Sequence, residues 1–278
     1  MKPIPEFPVR AFLLDTAFTL HPSSAQTAGT ATSANQSTVP APTAYAGVSR
    51  DANSQVWERT VFEPGPSGQT VARKHRYTEL ASGLNFKDPV TGQWMPSKEE
   101  IEAYPGGAIA RQGQYQVIFA NNLNSAGAID LQTPDGKRLR SNILGLMYYD
   151  PTTGDAVQIA QIQDSEGGLI ATNQVLYTNA FAGVKADVLY SYRRDGMEQD
   201  VILREQLPAP ETLGMNSATV ELEVFTEFQD APAARVAAVD SNEPGLDPDQ
   251  TVSWRAWGAA RPSILAVRIP RPRWSSDM

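Results

Sequence analysis

The stretch Val184-Lys185-Ala186-Asp187-Val188-Leu189-Tyr190-Ser191-Tyr192-Arg193-Arg194-Asp195-Gly196-Met197-Glu198-Gln199-Asp200-Val201-Ile202-Leu203-Arg204-Glu205 decides the fold class. Val184, Ala186, Val188, Tyr190 and Tyr192 fall on one side of an extended chain. Lys185, Asp187, Ser191 and Arg193 fall on the other, with Leu189 the apolar exception. This period of two belongs to a strand with one buried face. Asp195-Gly196 then supplies a turn, and in the returning arm Val201 and Leu203 alternate with Asp200 and Arg204. The reading is a β-hairpin. Thr219–Phe228 repeats the pattern, with Val220, Leu222 and Val224 inward and Glu221, Glu223 and Glu227 outward. A one-residue slip in any of these strands would carry charges into the core, so their register is well specified.

Outward from this hairpin, short runs of Val, Ile, Tyr, Phe and Leu recur between turn signals. The signals are Asp88-Pro89 with Thr91-Gly92, Thr133-Pro134-Asp135-Gly136, Asp150-Pro151 with Gly154, and Glu166-Gly167-Gly168. Further strands are expected at Val56–Phe62, Val71–Leu80, Leu84–Asp88, Tyr115–Ala120, Ile129–Gln132, Ile143–Tyr149, Val157–Ile162 and Gln174–Tyr177. One short helix is expected at Pro96–Ala103, where Ser97 would cap and Glu99, Glu100 and Glu102 would suit the positive end of the helix dipole. The expected fold is all-β: an antiparallel β-sandwich or an extended β-meander with one short helix, behind a disordered N-terminal leader.

The ends read differently. No charged side chain lies between Asp15 and Arg50, a span of Ala, Thr, Ser, Pro, Gln and Gly too poor in apolar area to offset its ordering entropy. Residues 1–54 are therefore read as a leader. Within Met1–Leu20, Lys2 and Arg10 precede Ala11-Phe12-Leu13-Leu14, but Asp15 interrupts the apolar run. Two readings stay open, a degraded secretory signal or an unstructured start. Residues 55–228 form the β-rich domain. Residues 229–278 are an irregular tail, and Trp254–Trp274 holds three tryptophans, Arg255, Arg261, Arg268, Arg271 and Arg273. Three readings of that tail stay open: a basic membrane- or partner-binding segment, a truncated or out-of-frame end, or ordinary structure.

Charge and composition narrow the function classes. The 278-residue chain carries a net charge of −8. Setting aside the five terminal arginines with Asp249 and Asp277 leaves 18 basic and 29 acidic residues before Asp249. A body at −11 lacks the clustered cations that phosphate recognition needs, so nucleic acid is not expected as a partner. With no cysteine there are no disulfides, thiolate metal sites or cysteine nucleophiles. His21 and His75 are the only imidazoles, which disfavours a histidine metal site. No apolar run is long enough to span a bilayer as a helix.

No catalytic or cofactor motif emerges. There is no Gly-x-Ser-x-Gly elbow, and His75 lies in the polar-alternating run Arg73-Lys74-His75-Arg76-Tyr77, read as a solvated strand face. The carboxylate clusters Glu99, Glu100, Glu102 and Glu221, Glu223, Glu227 are read as a helix start and a solvent-facing strand, although a paired-carboxylate site is defined only in three dimensions. Asp150-Pro151-Thr152-Thr153-Gly154-Asp155 offers two carboxylates and is read as a turn, since the other calcium ligands are missing. Gly106-Gly107 with Ala108–Gly113 has neither P-loop nor dinucleotide spacing. Most strand aromatics fill cores. Trp94, which follows a turn and precedes Pro96, leads the ligand-contacting candidates, with Tyr104 and Trp57 behind it.

Asn173-Gln174-Val175-Leu176-Tyr177-Thr178-Asn179-Ala180-Phe181, then Ala186–Tyr192 and Met197–Leu203, resembles the β-rich N-terminal modules of large bacterial surface or secreted proteins, some with Rhs-type tyrosine–aspartate repeats. Tyr77-Thr78-Glu79-Leu80 with Gly83-Leu84-Asn85, and Gly106-Gly107-Ala108 with Gln116-Val117-Ile118-Phe119, are similar to such modules too. The resemblance covers Trp57–Phe228 and brings no catalytic residues. It implies an extracellular or cell-surface location, and downstream domains of a larger surface protein or cell-envelope components as partners. The lack of a clean signal, and an end where repeats would begin, lead to the expectation of a fragment of such a gene. The expected function is a non-enzymatic extracytoplasmic β-module with a structural or interaction role and no cofactor. The alternative is a carbohydrate-binding or carbohydrate-processing β-sandwich with a glycan partner.

Overall fold

A computed structural model describes residues 40–229 in full, and beyond them the backbone of the strands Pro8–Ala11, Ala234–Val239, Asp249–Trp254 and Ser263–Ile269. The signal-like start, His21, the leader as far as residue 39 and most of the tail lie outside the described residues. Among the described residues every strand pairing is antiparallel, and the one helical element is a 3-10 turn at Pro210–Leu213. The all-β expectation holds.

In chain order the strands are β1 (Pro8–Ala11), β2 (Ala46–Arg50), β3 (Ser54–Pro64), β4 (Thr70–Leu80), β5 (Asn85–Lys87), β6 (Trp94–Pro96), β7 (Glu102–Tyr104), β8 (Gly107–Ala110), β9 (Gln116–Ala120), β10 (Ile129–Gln132) and β11 (Arg138–Tyr149). They continue as β12 (Ala156–Gln161), β13 (Gly167–Ala171), β14 (Gln174–Tyr177), β15 (Ala186–Arg193), β16 (Gly196–Leu203), β17 (Glu221–Gln229), β18 (Ala234–Val239), β19 (Asp249–Trp254) and β20 (Ser263–Ile269). The chain divides into two compact units, Asp15–Ser97 and a larger one comprising Met1–Leu14 with Lys98–Met278.

The larger unit is a sandwich. One sheet runs β1-β16-β15-β14-β13, the other β20-β17-β11-β10-β9-β8-β7 with β12 also on β11, and a separate hairpin joins β18 to β19. The inward residues of both sheets form one core. Val117, Phe119, Ile143 and Leu146 from one side meet Val175, Tyr177, Val188, Tyr190 and Tyr192 from the other. Fully burying such side chains contributes about 1.5–3 kcal/mol each. The Phe119 and Tyr190 rings lie 5.7 Å apart, and Tyr177 meets Tyr190 edge to face at 6.0 Å.

The tyrosines also tie the sheets together through their hydroxyls. Tyr177 Oη donates to the carbonyl of Ala120 at 2.6 Å, and Tyr192 Oη to that of Tyr115 at 2.6 Å. Within the second sheet the register of the long strand β11 shifts against β17 between Ile143 and Gly145 and against β12 between Leu146 and Met147. Gly145 lies between the two irregularities, where a Cβ would lie 2.3 Å from the carbonyl oxygen of Ala160.

The hairpin Val184–Glu205 pairs as its periodicity predicts, with Val188 opposite Val201 and Tyr192 opposite Met197. Its outer face differs from the expectation. Asp187 and Ser191 are buried. Asp187 accepts from the Asn179 amide at 2.8 Å and from Arg204 Nε at 2.9 Å, and Ser191 Oγ accepts from Gln174 at 3.0 Å. Alternation assigns a residue to a face but does not report how far neighbouring side chains fold over that face. The same holds for Glu221 and Glu223, which are buried on β17, a strand flanked by β11 and β20.

Two segments need correction. Pro96–Ala103 is not a helix: Pro96 ends β6 and Glu102 begins β7. The amide of Lys98 donates to the carbonyl of Gln112, and that of Ile101 to the carbonyl of Thr172, both at 2.7 Å, while Ile101 is buried in the core. Only Ile101 in that segment offers a large apolar anchor, and Pro105 stops any continuation, so long-range pairing outcompetes a helix too short to persist. The leader reading also ran too far, because Ala46–Arg50 is a strand on β3.

In the smaller unit β2, β3 and β4 form a sheet in that order, and β5 pairs with β6. Asp51 shapes the turn between β2 and β3, its carboxylate accepting from the amides of Asn53 and Ser54 and from the Ser54 hydroxyl. Asn85, fully buried between Leu84 and Phe86, donates to the carbonyls of Asp51 and Ser54. The β3–β4 hairpin pairs eleven residues of each strand from Ser54↔Leu80 to Pro64↔Thr70 without a bulge.

Candidate binding face on the long hairpin

Gly65-Pro66-Ser67-Gly68 closes the β3–β4 hairpin, with the Gly65 amide donating to the Gln69 carbonyl at 2.7 Å. The resulting register places Trp57 opposite Tyr77, Arg59 opposite His75 and Val61 opposite Arg73. These pairs share one face of the sheet. The Trp57 and Tyr77 rings are stacked at 6.3 Å with 20° between their planes. Tyr45, immediately before β2, packs edge-on against Tyr77 at 4.9 Å, and the Arg59 guanidinium lies 4.8 Å from the Tyr45 ring centre. Trp57 Nε1 donates to Glu79 Oε2 at 2.8 Å.

Each aromatic pair contributes about 0.5–1.5 kcal/mol, and an exposed cation–π contact about 0.5–1 kcal/mol. These contacts hold Tyr45 beside an otherwise exposed β2. The rings still reach solvent: Tyr45 is 38% and Tyr77 47% exposed. A rigid row of rings beside a guanidinium can stack on a flat group and donate hydrogen bonds around it.

The three expected contact residues are not brought together by any ring contact among the described residues. Trp57 is part of the row just described. Trp94 is half-buried on β6 opposite Lys87, and Tyr104 ends β7, exposed, in the other unit. Tyr45, Arg59 and Tyr77 were not singled out by sequence reasoning. The signal was there: centring the five-residue loop Gly65–Gln69 on Ser67 pairs Trp57 with Tyr77 by counting outward.

The other motifs are engaged locally. His75, the one imidazole among the described residues, is exposed and lies 3.8 Å from Glu63 Oε1. Glu99 accepts from the Arg194 amide, and Glu102 pairs with Arg111 and Gln112. Arg111 holds the Glu102 carboxyl below its usual range, opposite to what a general acid requires. Asp150 accepts from the Thr152 amide and hydroxyl and, at 2.6 Å, from the Thr219 hydroxyl, so its carboxylate fastens its own turn to the segment before β17. Among the described residues no three His, Asp or Glu side chains group as metal ligands, and no helix is long and apolar enough to cross a membrane. No protein-family model, curated protein or solved structure matches the chain.

Proposed function

We propose that the chain is a non-enzymatic, extracytoplasmic β-module of a bacterial surface or secreted protein, with a structural and interaction role. The observation that carries this reading is the β2–β3–β4 sheet. Its Tyr77 and Tyr45 rings are fixed in place yet open to solvent, with Trp57 half-buried beside them, whereas the Tyr177, Tyr192 and Thr219 hydroxyls of the sandwich bond to its own chain. Rigid, solvent-facing aromatics beside an arginine are what an interaction surface places at its centre. The partners on this reading are other domains of the same larger protein or cell-envelope components.

The alternative, carbohydrate binding, is favoured by one feature, the nearly parallel Trp57 and Tyr77 rings, since stacked rings also present a platform to sugars. A glycan array separates the two. The module reading expects no glycan signal that depends on the aromatic row. A glycan whose binding is lost in Trp57→Ala and Tyr77→Ala, while Trp94→Ala and Tyr104→Ala retain it, would replace that reading with the carbohydrate one.

A further inference from the structure

We infer that the outer edge of β4 is a strand-addition site for an extended, acidic segment of a partner protein. The inference rests on the interaction-module reading and specifies its partner's chemistry. β4 is the last strand of its sheet, with β3 on one side and no strand on the other among the described residues. Eleven residues long and unbulged, it is exposed along nearly its whole length. Long flat edges offer a row of backbone donors and acceptors that another chain can pair with, and proteins ordinarily blunt them with bulges, prolines or charges. Here only charge is used.

That charge selects the partner. Arg73, Lys74, His75 and Arg76 run consecutively along the edge, and the side chains of Arg73, Lys74 and Arg76 are 63–66% exposed. Their internal partners are two carboxylates on β3. Glu63 meets Arg73 at 2.9 Å, and Glu58 meets both Lys74 at 2.8 Å and Arg76 at 2.6 Å. Both acids lie on the far side from the open edge, so along Arg73–Arg76 an added strand would run beside cations; the one acid on β4, Glu79, stands three residues further on and accepts from Trp57 Nε1. A second copy pairing through the same edge would set cations against cations, which disfavours it. A strand with acidic side chains on both faces meets Arg73 and His75 on one face and Lys74 and Arg76 on the other.

The test uses the full chain, labelled with ¹⁵N, and two synthetic peptides, one repeating Glu-Glu-Thr-Thr and the other Lys-Lys-Thr-Thr, so that each presents its charges on both faces of an extended strand. The glutamate peptide is expected to shift amides of residues 70–80 and to bind about tenfold more tightly than the lysine peptide, since exposed charge pairs contribute a few-fold each. Removing the charges in an Arg73→Ala/Lys74→Ala/Arg76→Ala variant should abolish that preference. N–H groups of an edge strand point alternately inward and outward, so one of Lys74→Pro and His75→Pro spares the β3 ladder and still blocks addition. Absence of amide shifts, shifts centred elsewhere, or equal binding of both peptides overturns the inference. Dimerisation through β4 in sedimentation would overturn it in favour of a second copy. The module reading is judged separately, by the glycan array and by whether Tyr77 is covered on cells.

Discussion

Gly113 and Tyr192 are predicted to be energetically coupled, and the coupling can be worked out atom by atom. Gly113 carries no left-handed φ, so a side chain there is limited by space alone. A Cβ added to it would lie 2.0 Å from Tyr192 Oη and 3.2 Å from Cζ. Gly113→Ala therefore drives the hydroxyl off the Tyr115 carbonyl. Overpacking costs about 1–3 kcal/mol, and the lost bond to a buried carbonyl adds about 1 kcal/mol, for a total near 3 kcal/mol. Tyr192→Phe alone forfeits that bond, at about 1 kcal/mol. In the double variant the nearest ring atom is Cζ, which must retreat only slightly, so most of the overpacking cost disappears; the gain from replacing glycine in the unfolded chain is common to both Gly113 variants and cancels in the cycle. The pair should then cost about 2 kcal/mol rather than about 4, an interaction energy of about −2 kcal/mol. Denaturant unfolding of the four proteins measures this through the midpoints at constant m-value. Costs that add to within about 0.5 kcal/mol would refute the reasoning.

Three further outcomes are expected. Thr226 is buried on β17 and its hydroxyl has no hydrogen-bond partner among the described residues, so Thr226→Val should leave stability unchanged or raise it by about 1 kcal/mol; a clear loss in denaturant unfolding would show a missed partner. Burial raises the phenol pKa of Tyr177, Tyr190 and Tyr192. The stability they confer is complete below the ordinary phenol value of about 10 and is lost as pH rises beyond it. Phenolate absorbance from these three should appear only with alkaline unfolding, and a smooth titration of all nine tyrosines in the folded protein would contradict this. The Thr152 and Thr219 hydroxyls lower the pKa of Asp150, so its contribution is present above the ordinary value of 3.8 and fades as pH falls through the lower folded value. The stability gap between wild type and Asp150→Asn should be flat above about pH 5 and shrink below about pH 4; a gap that ignores pH would mean the bonds do not depend on the charge.

The parts of the fold legible from sequence were those with strict alternation and a turn at each end. Val184–Glu205 and Thr219–Phe228 announce themselves because each inward residue is apolar and each slip is costly. Three-residue strands such as β6 and β7 give no such signal, and the cluster Glu99, Glu100 and Glu102 imitated a helix start where Ile101 in fact anchors an extended segment. Buried polar residues were misplaced for a different reason. Asp187 and Ser191 stand on the outward face, but Arg204 and Gln174 from elsewhere cover them, and no local pattern encodes that cover. The aromatic row was half legible: Trp57 attracted notice, whereas Tyr45 lay in a stretch whose composition reads as leader. What keeps Tyr45 in place is a ring and a guanidinium brought by the pairing of β2 with β3.

The absence of cysteine allows one direct measurement of the central claim, that the module works outside the cytoplasm with its aromatic face engaged. Val90→Cys, at a site 90% exposed, and Tyr77→Cys, on the aromatic face, each introduce the only thiol in the chain. Intact producing cells would be treated with a membrane-impermeant maleimide and compared with the purified variants. The account predicts rapid labelling of Val90→Cys on cells and slow labelling of Tyr77→Cys, with both reacting rapidly once purified. Labelling of Val90→Cys only after lysis would contradict the extracytoplasmic assignment, and equal labelling of both sites on intact cells would contradict an engaged face.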